Sequence, residues 1–330
     1  MTEFITQNLK TMTRQELINA INAVLDQNEE LSTVVYAVFK DTYEIKQLNI
    51  VNTELEYIQN LFIQSINSNI LGVEGQTLVK VSEADDRANT IFEYDLDLPE
   101  SLEFFKTQLN DSISVFSFND DDLGNVDSLL IEIGTEENQI VIFKQLSTVE
   151  VFGRGGYLLW KSNQHFERFV DKVLRITPKF NGIKVNDTFI FTELKLLERS
   201  HGFHDVIVRE ANASIQMIQR LNILDTTDGL KSLLNDISFA RKVLKIRSSP
   251  VLNNNIPNAT IINFTKTHPA LINKMKYSDD NTQIILKTKL SKELFIKMLD
   301  DAYLTSELTK QFYESKAKDA VIIEVEESAE

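Results

Sequence analysis

The chain has 330 residues, 42% of them hydrophobic, with 10 Gly, 5 Pro, no Cys and a formal net charge of −15 at pH 7. It is long enough for two domains and a sizeable core. The lack of Cys removes disulfides, thiol catalysis and Cys-ligated zinc and fits a reducing cytoplasm, and the Gly and Pro content excludes collagen-like or linker-dominated structure.

Met1 to Leu9 lacks the basic start and apolar core of a signal peptide, and no apolar run approaches the roughly 18 residues of a membrane span. A cytoplasmic chain without direct membrane insertion is expected. Thr13-Arg14-Gln15-Glu16 has capping-box spacing, and Leu17, Ile21, Val24 and Leu25 then share a face, which predicts a helix from about Thr13 to Gln27. Ser32 to Lys40, rich in Val, Tyr and Phe, and the stretch from Tyr43 to Ile50 predict a strand pair. Thr53 to Asn67 returns to helical spacing. Short strands are expected at Thr77 to Val81, Thr90 to Tyr94, Ser112 to Phe118, Ser128 to Ile133 and Gln139 to Phe143, the last two joined as a hairpin through Gly134-Thr135-Glu136-Glu137-Asn138.

The charge is divided along the chain. Residues 1–150 hold 8 Lys/Arg against 27 Asp/Glu, a net of −19, and residues 151–330 hold 26 against 22, a net of +4. Gly153-Arg154-Gly155-Gly156 lies where the balance changes sign. It is read as the border between an acidic α+β domain, residues 1–152, and a basic, helix-rich domain, residues 157–323, with an acidic tail at 324–330. No Gly-Lys-Ser/Thr follows the cluster, so a connector is a better reading than a phosphate cradle. Beyond it, Leu174 to Thr177, Gly182 to Val185, Thr188 to Phe191 and Gln283 to Lys287 read as strands. Helices are expected at Glu193 to Arg199, Asp205 to Leu221, Asp228 to Arg247, Ser291 to Ala302 and Ser306 to Ala317. The predicted class is α+β in two lobes, with a mixed sheet and helices in the first half and a helix-rich second half.

The chemistry-bearing pattern is cationic. Between residues 231 and 297 there are 12 basic and 4 acidic residues. Arg241, Lys242, Lys245 and Arg247 end a predicted helix, with Val243, Leu244 and Ile246 free to turn to the core. Cations at helical spacing can follow phosphates along a strand. They can equally complement the helix macrodipole on a solvated surface. Lys274, Lys276, Lys287, Lys289 and Lys292 flank a strand and a helix start, a second group that one helix dipole does not account for, and Lys231 completes the candidate DNA-binding set. Phe239, Phe264, Tyr277 and Phe295 lie near these cations, and periodicity assigns them mainly to the core rather than to base stacking. With no helix-turn-helix, zinc-finger or RNA-binding signature, contact with the nucleic-acid backbone and weak sequence preference are expected.

Other motifs carry less. Glu193-Leu194-Lys195 has the Glu-x-Lys form of metal-dependent nucleases, with Asp187 or Asp171 as an upstream carboxylate, and a helix-surface ion triplet is the competing reading. His201 and His204 read as a helix end and a helix start rather than metal ligands. Asn119-Asp120-Asp121-Asp122-Leu123-Gly124 resembles a Ca²⁺ loop but has Leu130 where a bidentate Glu is needed, which leaves an acidic loop. No metal or cofactor site is expected. Arg87 is expected to pair with Asp85 or Asp95 and fix a loop.

Several patterns together resemble a known family. Ser249-Pro250-Val251-Leu252 follows the Arg241 cluster, and Leu299-Asp300-Asp301-Ala302-Tyr303-Leu304-Thr305-Ser306-Glu307-Leu308-Thr309 comes later, with Tyr313, Lys316 and Lys318-Asp319. Earlier, Ala84-Asp85-Asp86-Arg87-Ala88-Asn89 precedes Tyr94-Asp95 and Pro99-Glu100. From about Thr77 to Asp319 the chain resembles the Kiwa anti-phage KwaB-like family. The resemblance implies a cytoplasmic, dimeric DNA-binding subunit that works with a membrane-embedded partner subunit and restrains phage DNA replication or expression, without an established catalytic centre. The acidic half is then a candidate surface for the dimer or for the membrane partner.

Overall fold

A computed structural model of the chain describes residues 12–26, 30–85, 87–110, 112–135, 137–147, 150–152, 158–162, 165–169 and 172–315. These form two compact units, one of residues 1–81 and 89–203, the other of residues 82–88 and 204–330. The expected border, Gly153 to Gly156, lies outside the described residues, as do Asp171 and the acidic tail. The units divide elsewhere because strands beyond the glycine cluster hydrogen-bond into the first unit's sheet, and backbone pairing, not surface charge, decides which residues cohere.

In the first unit, α1 (Arg14–Leu25) starts where its capping box predicts: Thr13 accepts from the Glu16 amide and the Glu16 carboxylate accepts from the Thr13 amide. Strands β1 (Ser32–Phe39) and β2 (Ile45–Gln47) follow, then α2 (Asn52–Ile66), β3 (Thr77–Lys80), β4 (Thr90–Glu93), a 3-10 segment at Glu100–Lys106, β5 (Val126–Gly134) and β6 (Gln139–Gln145). After these come β7 (Val151–Phe152), the hairpin β8 (Leu158–Ser162) and β9 (His165–Phe169), β10 (Val173–Leu174), β11 (Gly182–Val185), β12 (Thr188–Phe191) and α3 (Leu194–Ser200). Eight strands make one sheet in the order β2-β1-β5-β6-β11-β12-β4-β3, antiparallel except for the parallel β3–β4 pair.

Alternation along the strands gives this sheet two apolar faces. On one, Val35, Ala37, Leu129, Ile131, Ile140, Ile142 and Ile183 pack with Leu17, Ile21 and Val24 of α1 and Phe62 and Ile66 of α2. The other carries Tyr36, Leu130 and Phe143, buried against Phe104 and Phe105 of the 3-10 segment, with Phe105 5.1 Å from Phe143 and 5.2 Å from Phe189 between ring centroids. Ser112 to Phe118 is not a strand but an irregular segment with a single bridge, Gln47 to Val115. Ser117 there donates its amide to Asp121 and its hydroxyl to Asp120, and such local side-chain bonds compete with a sheet ladder.

The second unit is helix-rich: α4 (Phe203–Arg220), α5 (Asp228–Lys231), α6 (Ile237–Lys245), α7 (Pro250–Asn253), α8 (Asn258–Thr267), β13 (Lys276–Tyr277), β14 (Ile284–Ile285), α9 (Lys289–Leu299), β15 (Tyr303–Thr305) and β16 (Phe312–Glu314). The single helix expected from Asp228 to Arg247 is two, because the Asp236 carboxylate accepts from the Ser238 and Phe239 amides and starts α6 anew. Of the helix expected from Ser306 to Ala317, the described residues 306–315 instead form the turn and second strand of a hairpin. Tyr303, Leu304 and Thr305 pair with Glu314, Tyr313 and Phe312, and Lys310 takes the left-handed conformation (φ 56°) that turns the chain; aromatic and β-branched residues favour strands there. Among the described residues no helix is long and apolar enough to cross a membrane.

Candidate nucleic-acid interface

The α6 cations rest on an amphipathic helix whose Phe239, Ala240, Val243 and Leu244 are buried, together with Ile246 just beyond it. This outcome matches the expected division between core and surface. The cations themselves are largely engaged within the fold. Lys245 lies 3.5 Å from Asp300, and its charge also acts on Asp85. Arg247 Nη1 donates to Glu210 Oε2 at 2.9 Å. Arg241 is half-buried, and burial lowers its pKa. Lys242 is exposed and has no ion pair with a described residue.

The second group is placed differently. β13 and β14 form a hairpin in which Lys276 faces Ile285 and Tyr277 faces Ile284. Its turn lies between Tyr277 and Ile284, so Lys274 and Lys287 both emerge at the open end, beside Lys276. The chain leaves Lys287 and enters α9 one residue later, capped by Thr288 with Ser291, which puts Lys289 and Lys292 in the first turn. The aliphatic end of Lys292 reaches Gly229, where a built Cβ would lie 2.7 Å from its Cε, so Gly229 leaves room for it beside Lys231 of α5. Lys231, Lys274, Lys276 and Lys287 are exposed, and none of the four is ion-paired with a described residue. Lys289 makes two loose, exposed pairs, 3.5 Å to Asp236 and 3.9 Å to Glu293.

This arrangement concentrates positive potential. A helix N-terminus already carries about half a positive charge, which ordinarily attracts acidic residues. Here the first turn of α9 holds no acid and two lysines. Amide groups at a helix start together with lysines make an anion-receptive surface. The aromatics nearby serve the fold: Phe239 and Phe295 are buried, Phe264 lies 4.9 Å from His268 between ring centroids, and Lys266 sits over Tyr277 at 4.6 Å.

The other motifs make contacts within the fold. Glu193 is the N-cap residue of α3 and pairs with Lys179 at 3.1 Å. Asp187 lies in the turn before β12 and Glu193 beyond its far end, a separation of about 20 Å in extended chain, so the two do not converge on a metal. Lys195 is exposed on α3. Among the described residues no cluster of three or more His, Asp and Glu could hold a metal. His201 is buried at the end of α3, held between Ser101 Oγ (3.2 Å) and Gln145 Oε1 (3.0 Å), and burial lowers its pKa. In the acidic loop Asp121 binds Lys46 at 2.6 Å. Arg87 grips Asp85 with two nitrogens, at 2.8 and 2.7 Å.

Residues 123–309 match the family model described as Kiwa protein KwaB-like. The chain is 28% identical over 319 residues to the Kiwa protein KwaB of Escherichia coli O55:H7 (strain RM12579 / EPEC), which spans 93% of this chain and 99% of that protein. No solved structure matches.

Proposed function

This chain belongs to the Kiwa protein KwaB-like family, and from that premise we propose that it serves anti-phage defence by holding DNA through its phosphates. The observation that carries this reading is the convergence of Lys274, Lys276, Lys287, Lys289 and Lys292 on the open end of one hairpin and the first turn of α9. The α6 cations are secondary, since Asp300 and Glu210 already neutralise Lys245 and Arg247. The mechanism is occupancy. Bound protein obstructs the enzymes that copy or transcribe phage DNA, and contact with the backbone makes it indifferent to sequence.

The same proposal has the chain acting as a homodimer beside a membrane-embedded Kiwa partner subunit. Two features support protein contacts. Residues 1–150 carry a net charge of −19, suited to the Lys/Arg-rich cytoplasmic loops of a membrane protein. The β15–β16 hairpin leaves Leu304, Leu308, Phe312 and Tyr313 exposed.

The test is fluorescence anisotropy of labelled duplex DNA at rising salt, with Mg²⁺ present and the DNA recovered on a denaturing gel. Salt-sensitive binding to intact DNA, lost in Lys276→Glu/Lys287→Glu/Lys292→Glu, is the expected result. Unchanged binding by that variant removes the surface from the proposal. Cut DNA that depends on Glu193 replaces occupancy with catalysis.

A further inference from the structure

β5 runs Val126-Asp127-Ser128-Leu129-Leu130-Ile131-Glu132-Ile133-Gly134, and Glu132 places a carboxylate within its apolar stretch Leu129 to Ile133, in a strand paired on both edges within the first unit's sheet. Glu132 is 8% exposed, and its Oε2 is buried without a hydrogen-bond partner. Buried polar atoms are nearly always satisfied, and an unmet carboxylate is among the costlier exceptions.

Glu132 opens into a cavity of about 820 Å³ that lies wholly within the first unit, a size common for small-ligand sites. The register fixes its surroundings. Glu132 lies between Val34 of β1 and Val141 of β6, and beyond Val141 the next residue in the row is Lys184 of β11. Two strand spacings, about 9–10 Å, therefore separate Glu132 from Lys184. Lys184 lines the same cavity and is held there, its ammonium donating to the Phe105 carbonyl at 3.3 Å and lying 5.4 Å from the Phe189 ring centroid. Val34, Leu130, Val141, Phe104 and Phe105 supply apolar wall. Glu137 and Asp187 stand in the turns at the margin, and Gln108, Asn110, Asn138 and Asn186 add amides.

We propose that this cavity binds a small organic cation, an amine or guanidine on an apolar stem, with Glu132 as its charge partner. Three carboxyl groups against one lysine exclude phosphate-bearing ligands and favour a cation, and the apolar wall accommodates a hydrocarbon stem. Burial raises the Glu132 pKa to about 7, so the empty site is part protonated near neutral pH and an arriving cation displaces that proton. The titratable and charged groups that line the site beside Glu132 are Lys184 from β11, Tyr36 from β1, and Glu137 and Asp187 from the flanking turns; the wall from Phe104 to Asn110 adds no charged lining residue, and Lys106 within that segment pairs with Glu103. The inference stands on the first unit alone and is independent of DNA binding.

The experiment is titration calorimetry of the full chain with agmatine, and separately with spermidine, at pH 6 and pH 8. Saturable binding of agmatine is expected, about tenfold tighter at pH 8 because the carboxylate fraction rises by about that factor. Glu132→Gln, folded by circular dichroism, should abolish it, and Lys184→Met should retain it. No saturable heat with either probe at millimolar concentration, or equal binding by Glu132→Gln, would overturn the assignment.

Discussion

Lys144 Nζ lies 2.7 Å from Glu150 Oε1 in the first unit, with the two side chains 2% and 9% exposed. Each partner is also satisfied elsewhere. Lys144 donates to Thr177 Oγ1 and to the Lys179 carbonyl, and Glu150 accepts from Thr177 Oγ1 and from the Ser147 amide and hydroxyl. Burial pushes the Glu150 pKa up, but the hydrogen bonds from Lys144, Thr177 and Ser147 outweigh it and hold it at about 2. Its stabilisation is therefore complete above pH 4.5, the ordinary value, and fades as pH falls toward 2. Glu150→Gln leaves the Lys144 charge buried without its counter-ion and should cost about 3–5 kcal/mol at pH 7 by urea denaturation. That deficit should shrink at pH 2.5 to 3.

Glu132 predicts the opposite slope. Its pKa is raised from 4.5 to about 7 by burial, so its carboxyl favours the folded state most below pH 4.5, and this is lost as pH rises through 7. Glu132→Gln should be more stable than the parent at pH 8, by on the order of 2–3 kcal/mol, and equal to it near pH 4.5. Thermal unfolding at the two pH values separates them; a variant that is no more stable at pH 8 would mean the carboxyl is satisfied there.

Local signals made the sheet and first helices legible. The α1 capping box and the Val-, Tyr- and Phe-rich run of β1 act within a few residues, and both elements stand where these signals put them. Two elements ran against what the spacing of apolar residues indicates. Ser306 to Ala317 has helical spacing, but Phe312 to Glu314 within it pair with Tyr303 to Thr305 in a hairpin, and Asp236 divides what periodicity reads as one helix. The site shows the same limit. The lysines could be named from charge density, but Asp300 and Glu210, which occupy Lys245 and Arg247, lie 55 and 37 residues away in sequence. Glu132 carries no sequence signal of its own, because its significance depends on a buried oxygen left without a partner and on a cavity that only the fold creates.

Gly134 ends β5 with φ 154°, and a Cβ there would meet the Asn138 carbonyl oxygen at 2.2 Å and Gln139 Cα at 2.8 Å. Both neighbours are backbone of the returning strand, held by the Thr135 amide donating to the Asn138 carbonyl at 3.0 Å. Relief would require the β5–β6 hairpin to open. Gly134→Ala should therefore cost at least ~2 kcal/mol. Gly75→Ala, at φ 67° with open space around it, should cost only the left-handed backbone term of about 1–2 kcal/mol. Chemical denaturation of both variants checks the order.

The two cationic groups separate by salt dependence. Each phosphate contact releases counterions and adds about 0.9 to the slope of log affinity against log salt. Lys242, exposed at the end of α6, and Lys287, at the hairpin's open end, are not ion-paired with described residues, so Lys242→Gln and Lys287→Gln each remove a cation available to phosphate. Lys245 and Arg247 must first leave Asp300 and Glu210, and Glu210 is the more buried partner in its pair. Releasing it to solvent-poor surroundings would offset any gain from a phosphate. Anisotropy titrations should therefore show the slope falling by about one for Lys287→Gln, with Lys245→Gln and Arg247→Gln leaving it unchanged. A reduced slope in the latter two would mean that DNA displaces the internal acids and that α6 belongs to the interface after all.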